Sequence, residues 1–281
     1  MILCYVCLIC IVLLTFACKY YCYHIIFLTR PDHWYLDYPH CGGNSQSPVN
    51  IQTVNVIRDS QNLVPFEMKG YDSTGDLQMD LENNGHTIQI NLKDKGMSIT
   101  GGNLSNVYIA HQFHFHWGKN NKRGSEHAID GKYFPMEMHI VHYNLKHNNF
   151  SQALNKQDGL AVLSFFFQVG KNNVNLDPVI QRFPEIPNKD DHTTIQKLAL
   201  RNLLPKTLDG YFRYHGSLTT PPCYESVQWS IFNEPINISQ KQLQSFRNKV
   251  HQNFANETNR DISDDYRPLQ PLNQRTVYSS K

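Results

Sequence analysis

The chain has 281 residues, of which 40% are hydrophobic and 12% aromatic, which is enough apolar material for one large, β-rich core. The formal net charge is only +2, and no block of like charges, linker or internal repeat divides the sequence. These features argue against nucleic acid as a partner and favour a single domain.

The beginning of the sequence differs from the rest. Residues 2–17 carry no charge, and the segment TFA at 15–17 offers small residues for a signal peptidase. Apolar residues resume after Lys19, so a retained membrane anchor is the alternative, because the whole stretch approaches the ~20 residues of a membrane span. We predict a leader at 1–30, with a cleaved signal peptide preferred, and one domain at 31–281.

Cysteines and glycosylation sequons indicate the cellular environment. Of the seven cysteines, only Cys41 and Cys223 lie in the body of the chain, where they either pair across a very long loop or remain two separate buried thiols. Together with the leader, four Asn-x-Ser/Thr sequons favour a secreted protein in an oxidising setting. The candidate glycosylation sites are Asn103, Asn149, Asn237 and Asn256.

Several short segments alternate between apolar and polar residues, as strands with one buried face do. In chain order these segments are 85–92 (GHTIQINL), 111–118 (HQFHFHWG), 136–144 (MEMHIVHYN) and 226–232 (SVQWSIF). Residues 159–170 (GLAVLSFFFQVG) form a continuous apolar run between glycines, which predicts a strand buried on both faces.

Helical patterns are fewer. The segment 195–205 (IQKLALRNLLP) predicts one helix, which Pro205 would end. Ser239 and Gln242 form a capping-box pattern, and apolar residues follow at helical spacing as far as Phe254. The sequence therefore predicts a β-dominated mixed α/β (α+β) fold with a few short helices.

The segment HQFHFHWG places unusual side chains on a predicted strand. Residues two apart share a face, so Gln112, His114 and His116 lie together, opposite the aromatic residues at 113, 115 and 117. By the same parity His111 falls on the aromatic face. An aromatic face suits a packed core, whereas two imidazoles and an amide on one face need partners.

A second predicted strand carries His139 and Glu137 on one face. Three imidazoles are the ligand set of an open catalytic zinc site, and residues such as Gln112 and Glu137 could orient the ligands by accepting their outer N–H groups. Paired histidines on strands are also common as satisfied core or surface pairs. Spacing leaves both interpretations open, because it does not show that the two strands are neighbours.

Several motifs resemble those of a known family. QFHFHWG (112–118), GSEH (124–127), EMHIVHYN (137–144) and GSLTTPPCYESVQW (216–229) are similar in order and separation to motifs of the α-class carbonic anhydrases. QSPVNI (46–51), NNGH (83–86), GLAVL (159–163) and RPLQPLNQRTVY (267–278) match as well, so the resemblance runs from about residue 33 to 278. It implies a single domain with a large, central, twisted, mostly antiparallel sheet and short surface helices.

The resemblance also implies an activity and a role for individual residues. The activity is reversible hydration of carbon dioxide to bicarbonate and a proton, by attack of a zinc-bound hydroxide. One Zn²⁺ would be held by His114, His116 and His139, with Gln112 and Glu137 behind them. The catalytic partners would be Thr219, which passes its proton to Glu126, and His86, which carries protons to bulk water. The carbon dioxide pocket would comprise Val141, Val162, Leu218, Thr220, Val227 and Trp229.

Cys41 and Cys223 match positions that pair in the secreted and membrane-bound branch of that family. We therefore expect a secreted monomer that acts on carbon dioxide and bicarbonate, and that meets a membrane only if the leader is retained. The competing hypothesis is a non-catalytic secreted binding or matrix module on the same fold. Such relatives typically lack a zinc histidine, whereas this sequence keeps all three. The chain departs from the family pattern before His33, where no Trp-x-Tyr segment is found.

Overall fold

The computed structural model describes residues 30–74, 78–92 and 96–281. The predicted leader therefore lies outside the described residues, except for its last position. Within these ranges, no helix has both the length and the apolar character needed to cross a bilayer.

Strands dominate the described chain. They are β1 (Asn50–Ile51), β2 (Ile57–Arg58), β3 (Phe66–Lys69), β4 (Gln78–Asn83), β5 (Ile88–Asn91), β6 (Ser98–Gly101), β7 (Tyr108–Trp117), β8 (Ala128–Ile129), β9 (Met136–Asn144), β10 (Leu160–Val169), β11 (His192–Gln196), β12 (Tyr211–Gly216), β13 (Val227–Ile238) and β14 (Tyr278–Ser279). The α-helices are α1 (Phe150–Ala153), α2 (Asp177–Ile180) and α3 (Gln240–Asn248). Short 3-10 helices occupy Pro31–Leu36, Pro39–Gly42, Thr53–Asn55, Leu145–His147, Val174–Leu176, Phe183–Glu185 and Leu200–Leu203.

Twelve of these strands form one sheet in the order β11-β4-β5-β7-β9-β10-β13-β12-β14-β2, with β6 pairing β7 and β3 pairing β6. Neighbours are antiparallel except for β10–β13 and β14–β2. The remaining strands, β1 and β8, form a separate parallel pair. The predicted β-dominated fold with a mostly antiparallel sheet and short helices is thus confirmed.

The two faces of the sheet bury two apolar clusters. On one face, Phe113, Phe115 and Trp117 of β7 pack into the larger cluster with α3. On the other face, Val141 and Trp229 belong to the smaller cluster. Strand β10 lies between β9 and β13 and is buried along its first eight residues, as its continuous apolar run predicted. The polar face of β7 therefore looks toward the smaller cluster.

A bulge in β7, and not strand alternation, separates His111 from the face that carries His114 and His116. The register with β9 shifts between Ala110 and Gln112, so the intervening residue breaks the alternation. His111 is half-buried and stacks on Phe150 with ring centroids 3.9 Å apart, and it does not enter the aromatic core. Strand parity predicts the core face for His111. The structure differs because parity cannot anticipate an extra residue in the ladder.

One helix prediction is wrong and one is close. The segment 195–205 forms the end of β11 and a 3-10 helix, because Ile195 pairs with Met79 of β4 and Lys197 turns the chain at φ +58°. Tertiary pairing there outweighs a helical pattern. The capping box at Ser239 starts α3, but the helix ends at Asn248, before the apolar pattern does.

Candidate metal centre

Strand pairing brings three predicted histidines together. In the β7–β9 ladder His114 lies directly opposite His139, and His116 follows two residues later on the same face. Ring centroids are 5.2 Å apart for His114 and His139, 5.0 Å for His114 and His116, and 4.7 Å for His116 and His139. One ring nitrogen of each histidine lies within 4.8 Å of one from each of the others.

Each of these imidazoles meets an acceptor behind it. The Nδ1 atom of His114 lies 2.8 Å from Gln112 Oε1, and that of His116 lies 2.7 Å from the backbone oxygen of Asp265. The Nε2 atom of His139 lies 2.7 Å from Glu137 Oε1. Acceptors at these positions require the facing nitrogen to carry the proton, so the other nitrogen presents a lone pair.

The three remaining nitrogens are the donor set that a metal ion would use. They are Nε2 of His114, Nε2 of His116 and Nδ1 of His139, and none of them hydrogen-bonds to a residue within the described ranges. The Nε2 atom of His116 is buried without a partner, as is Oε2 of Glu126, 3.5 Å away. Three neutral imidazoles with outer-shell acceptors fit an open zinc site.

Burial sets the protonation of this cluster. It lowers the pKa of all three histidines, most strongly that of His114, where the neighbouring imidazoles add to the effect. Removal from water disfavours the charged form, and like charges would repel each other. The histidines are therefore neutral at physiological pH, which is the form that binds metal.

Glu137 is a fully buried carboxylate with a dense set of donors. Burial alone would raise its pKa, but the interactions with His127 and His139 outweigh burial and lower it well below the usual value. Its Oε2 accepts from the backbone N–H groups of Glu126 and His127 at 2.8 and 2.9 Å, and Ser164 donates to Oε1 at 2.6 Å. The carboxylate therefore holds the outer nitrogen of His139 in a fixed position.

Glu126 and Thr219 lie beside the imidazoles. Glu126 is buried and its Oε1 accepts the backbone N–H of Arg267 at 2.9 Å. Burial raises its pKa, while the nearby His139, the Arg267 amide and the Thr219 hydroxyl act in the opposite direction. Thr219 itself is buried. The free oxygen of Glu126 thus faces both the histidines and the hydroxyl that was expected to be its partner.

The predicted apolar pocket residues occupy the same side of the sheet. Val141, Val162, Val227 and Trp229 are buried in the smaller cluster, and Leu218 packs against it. The Trp229 ring lies 4.9 Å from that of His139. Thr220, by contrast, is exposed. An apolar wall therefore reaches the histidine cluster directly.

His86 lies outside the cluster. It follows β4 in the turn before β5, where its backbone N–H donates to Asn84 Oδ1 at 2.9 Å, and its side chain is exposed. Partial burial and the charge of Lys189 lower its pKa. Within the part of the chain that the structure describes, it makes no hydrogen bond to the three histidines.

A disulfide joins Cys41 to Cys223, whose Cα atoms are 4.9 Å apart. It ties the early chain to the loop that carries Thr219, because the Cys223 N–H donates to the Thr220 oxygen at 2.9 Å. Arg267 donates to the Cys41 oxygen at 3.0 Å while its backbone holds Glu126. All four sequon asparagines have exposed side chains: Asn103, Asn149, Asn237 and Asn256.

Sequence reasoning did not foresee three members of the site. The Asp265 carbonyl behind His116 is 149 residues away along the chain, and no local pattern marks it. Ser164, which donates to Glu137, lies in the apolar run of β10, and a polar side chain within that run was the only sequence feature that marked it. Tyr214 accepts or donates at 2.6 Å to His127 Nε2, which extends the network behind Glu137.

Comparison with known proteins agrees with this fold. The family model for eukaryotic-type carbonic anhydrases matches residues 29–281. Carbonic anhydrase 6 of Homo sapiens is 40% identical over 254 residues, covering 88% of this chain and 79% of that protein. Carbonic anhydrase 4 of Rattus norvegicus is 38% identical over 253 residues, covering 89% and 79%. Carbonic anhydrase 12 of Homo sapiens is 36% identical over 252 residues, covering 89% and 70%.

The architecture is therefore that of an α-carbonic anhydrase, with a histidine cluster on its central strands that could hold a metal. The chain belongs to the eukaryotic-type carbonic anhydrase family.

Proposed function

We propose that this protein is an active carbonic anhydrase, which reversibly converts carbon dioxide and water to bicarbonate and a proton. The observation that carries the proposal is the convergence of three imidazole lone pairs, each fixed by an acceptor on the opposite ring nitrogen. His114, His116 and His139 would hold one Zn²⁺. A bound zinc ion supplies Lewis acidity that makes water a nucleophile near neutral pH, as is known for this enzyme class.

Thr219 and Glu126 would orient the attacking oxygen. Glu126 lacks a partner for its Oε2 atom, so that atom is available to accept the Thr219 hydroxyl proton. With its proton so engaged, Thr219 has only lone pairs left for the nucleophile, whose own proton must then point at Thr219. The Thr219 backbone N–H would receive the negative charge that develops on the substrate oxygen.

The apolar wall would hold the substrate. Carbon dioxide is uncharged and makes few demands for hydrogen bonds, so Val141, Val162, Leu218, Val227 and Trp229 suit it. Thr220 would line the polar side of the same space. Placing the apolar wall against the imidazoles brings substrate and nucleophile together without binding the charged product tightly.

His86 would carry the released proton to solvent. Its exposed position suits exchange with bulk water, and imidazole can bind and release protons near neutral pH. Because no direct hydrogen bond links it to the cluster in the described chain, transfer would run through water.

The alternative, a non-catalytic binding module, is disfavoured by the same residues. All three candidate ligands, their outer acceptors, Thr219 and Glu126 are present. A module relieved of catalysis would not need three convergent imidazoles with unused lone pairs, two of them buried, because their burial costs desolvation energy.

The protein is further proposed to be a secreted monomer, with a leader at 1–30, a catalytic domain at 31–281 and N-linked sugars on the sequons. The Cys41–Cys223 disulfide and the exposed sequon asparagines support an oxidising compartment. Retention of the leader as an anchor is the alternative.

The test is to replace His114 with Ala and to measure zinc content and carbon dioxide hydration. We expect zinc to be lost and hydration to fall at least ~10³-fold, because the nucleophile is no longer activated. His192→Ala is the matched control, since that side chain is 60% exposed and lies on β11. Hydration that survives His114→Ala, or folded wild-type protein that takes up no zinc, would sink the proposal.

A further inference from the structure

A cavity of about 600 Å³ lies apart from the metal centre. None of the three candidate metal ligands lines it, although Tyr214, which hydrogen-bonds to His127 behind Glu137, forms part of its wall. Its wall combines two arginines, Arg213 and Arg275, with apolar and aromatic residues that include Leu63, Leu104, Tyr108 and Tyr278. This volume is in the range of small-molecule sites.

Arg213 is the unusual feature of this wall. Its side chain is buried, with only 7% of the residue exposed. Nε donates to the Trp229 oxygen at 3.1 Å and to Ser230 Oγ at 3.2 Å, and Nη2 donates to the same hydroxyl at 2.8 Å. Nη1 makes no hydrogen bond to any residue in the described ranges. Because Arg213 lines the cavity, this nitrogen is available to a ligand there.

Within the described part of the chain, the charge of Arg213 has no carboxylate counter-ion. Among the described residues, no carboxylate forms a salt bridge with it, and its partners are a carbonyl and a hydroxyl. Burial lowers its pKa to about 10, which still leaves it charged at neutral pH. Phe66 and Tyr211 flank the group, with ring centroids 5.8 and 5.7 Å from Cζ. A buried, unpaired cation held in a fixed plane is costly unless an anion joins it.

The second arginine strengthens the positive field. Arg275 donates only to backbone carbonyls, those of Leu272 at 2.9 Å, His215 at 3.1 Å and Pro271 at 2.7 Å. It too lacks a carboxylate partner within the described chain. The cavity wall also contains two acids, so the balance of charge depends on how each acid is paired.

The two acids differ in their pairing. Asp158 is neutralised by Lys146, and His147 lies 3.1 Å from it. Asp59 accepts from the Asn62 amide at 2.8 Å and has no cationic partner among the described residues. Among the described lining residues, Arg213 and Arg275 form no ion pair with a carboxylate and Asp59 forms none with a cation, so the lining carries a formal positive charge, although Glu225 acts on Arg275 from outside it.

We propose that this cavity binds a small organic carboxylate. The planar oxygen pair would meet the unused edge of Arg213, because a guanidinium fork matches a carboxylate in shape and charge. The apolar part of the ligand would lie against Leu63, Leu104 and Tyr108. The site is separate from the metal centre, so it does not depend on the proposed hydration activity.

The test is calorimetric titration of sodium benzoate into the zinc-loaded protein at constant pH and ionic strength. Arg213→Gln is expected to weaken binding at least ~10-fold, because a charge-assisted hydrogen bond is lost. Asp59→Asn should tighten binding about 2- to 5-fold by removing a like charge. Arg182→Gln is the matched control, because that arginine is exposed and already paired with Glu185, and it should change nothing.

Two further titrations separate this cavity from the metal centre and define the ligand. Binding must persist in His114→Ala, and loss there with retention in Arg213→Gln would place the ligand at the metal and overturn the proposal. Acetate should bind less tightly than benzoate, and phosphate less tightly still. Equal affinity for acetate would contradict the apolar contacts, and equal affinity for phosphate would contradict the planar match. If Arg213→Gln does not fold, the Asp59→Asn result decides, and an unchanged affinity there counts against the site.

Discussion

His139 and His142 lie three residues apart on β9, on opposite faces of the sheet, and both are essentially inaccessible to solvent. His142 uses both ring nitrogens: Nε2 lies 2.5 Å from the Tyr71 hydroxyl, and Nδ1 lies 3.1 Å from the Ala161 oxygen. His139 engages only Nε2, with Glu137. Burial and residue type do not distinguish a structural histidine from a candidate ligand, whereas the number of partnered nitrogens does.

The same contrast separates other imidazoles of the core. His127 is fully buried and bonded at both nitrogens, to Glu137 at 2.7 Å and to Tyr214 at 2.6 Å. His114 and His116 each leave one nitrogen without a protein partner within the described residues. A buried polar atom normally finds a partner, and these nitrogens, which lie within 4.8 Å of one of His139, form a donor set that could hold a metal ion.

If the two faces of β7 and β9 have separate tasks, damage to the aromatic face should reduce stability and leave zinc binding intact. Phe115 is fully buried and packs against Phe167 and Phe246, at 6.3 and 5.2 Å between centroids. Phe115→Ala is expected to lower the free energy of unfolding by about 3–5 kcal/mol, because it removes contacts and leaves a cavity. Denaturant unfolding measures this change, and zinc content per folded chain should stay near one.

Phe254→Ala is the matched control, because that ring is 44% exposed. Its effect should stay below about 1 kcal/mol. Should Phe115→Ala abolish zinc binding at temperatures where the protein is folded, the two faces would not be independent, and the comparison would lose its basis.

The role of His142 as a buried, neutral histidine can be tested by the dependence of the unfolding free energy on pH. Burial lowers its pKa from 6.5 to about 4, so the unfolded chain binds a proton between these values that the folded chain does not. The contribution of this shift to the free energy of unfolding is therefore fully present above about pH 6.5 and is lost as the pH falls toward 4. The full difference corresponds to about 3 kcal/mol of unfolding free energy.

The measurement is the dependence of unfolding free energy on pH for wild type and His142→Gln. The variant should be less stable at pH 7 and should lose stability more slowly on acidification. Val174→Ala, at an exposed position without a titratable group, should keep the wild-type slope. An identical slope in His142→Gln would mean that this imidazole is not held neutral by the fold.

The two faces were unequally predictable from the sequence. Strand parity alone separates the aromatic side chains of β7 from His114 and His116, because side chains alternate along any strand. It does not place His139, since pairing of β7 with β9 is a long-range contact that only the family resemblance supplied. Parity also fails at His111, where a bulge interrupts the ladder. The helix expected at 195–205 failed for a similar reason, because pairing with β4 was invisible locally.

Contacts from distant loops were the least predictable part of the site. The Asp265 carbonyl reaches His116 from a segment without regular structure, and any residue could supply a backbone oxygen there. The unpaired edge of Arg213 was equally hidden, because a charged residue in a strand is usually solvated or paired. In both cases the function of the atom depends on what surrounds it in space.

Glu137 bonds both to the structural His127 and to the candidate ligand His139. Its replacement therefore tests whether zinc binding depends on the residues that orient the ligands. Its carboxylate accepts five hydrogen bonds, and an amide at the same position would bring an N–H group against donors. Glu137→Gln is expected to weaken zinc binding about 10- to 100-fold. Competition with a chelator measures this affinity, and Glu185→Gln, at an exposed carboxylate, should leave it unchanged. Unaltered zinc affinity in Glu137→Gln would show that orientation of His139 does not depend on this carboxylate.

The smallest effect is expected at His86, the one candidate site histidine outside the buried cluster. Partial burial and the positive charge of Lys189 both disfavour its protonated form, so its pKa lies below 6.5. Lys189→Gln should raise that pKa, because the repulsion is removed while the burial remains. An NMR titration of the imidazole measures the shift, and Lys119→Gln, a lysine paired with Asp264, is the control.

His86→Ala should leave zinc content unchanged and should slow hydration in weak buffer. The rate should recover in concentrated buffer, since buffer bases can then accept the proton. A hydration rate that is independent of both His86 and buffer concentration would remove this residue from the proton path and confine the catalytic machinery to the buried face of β7 and β9.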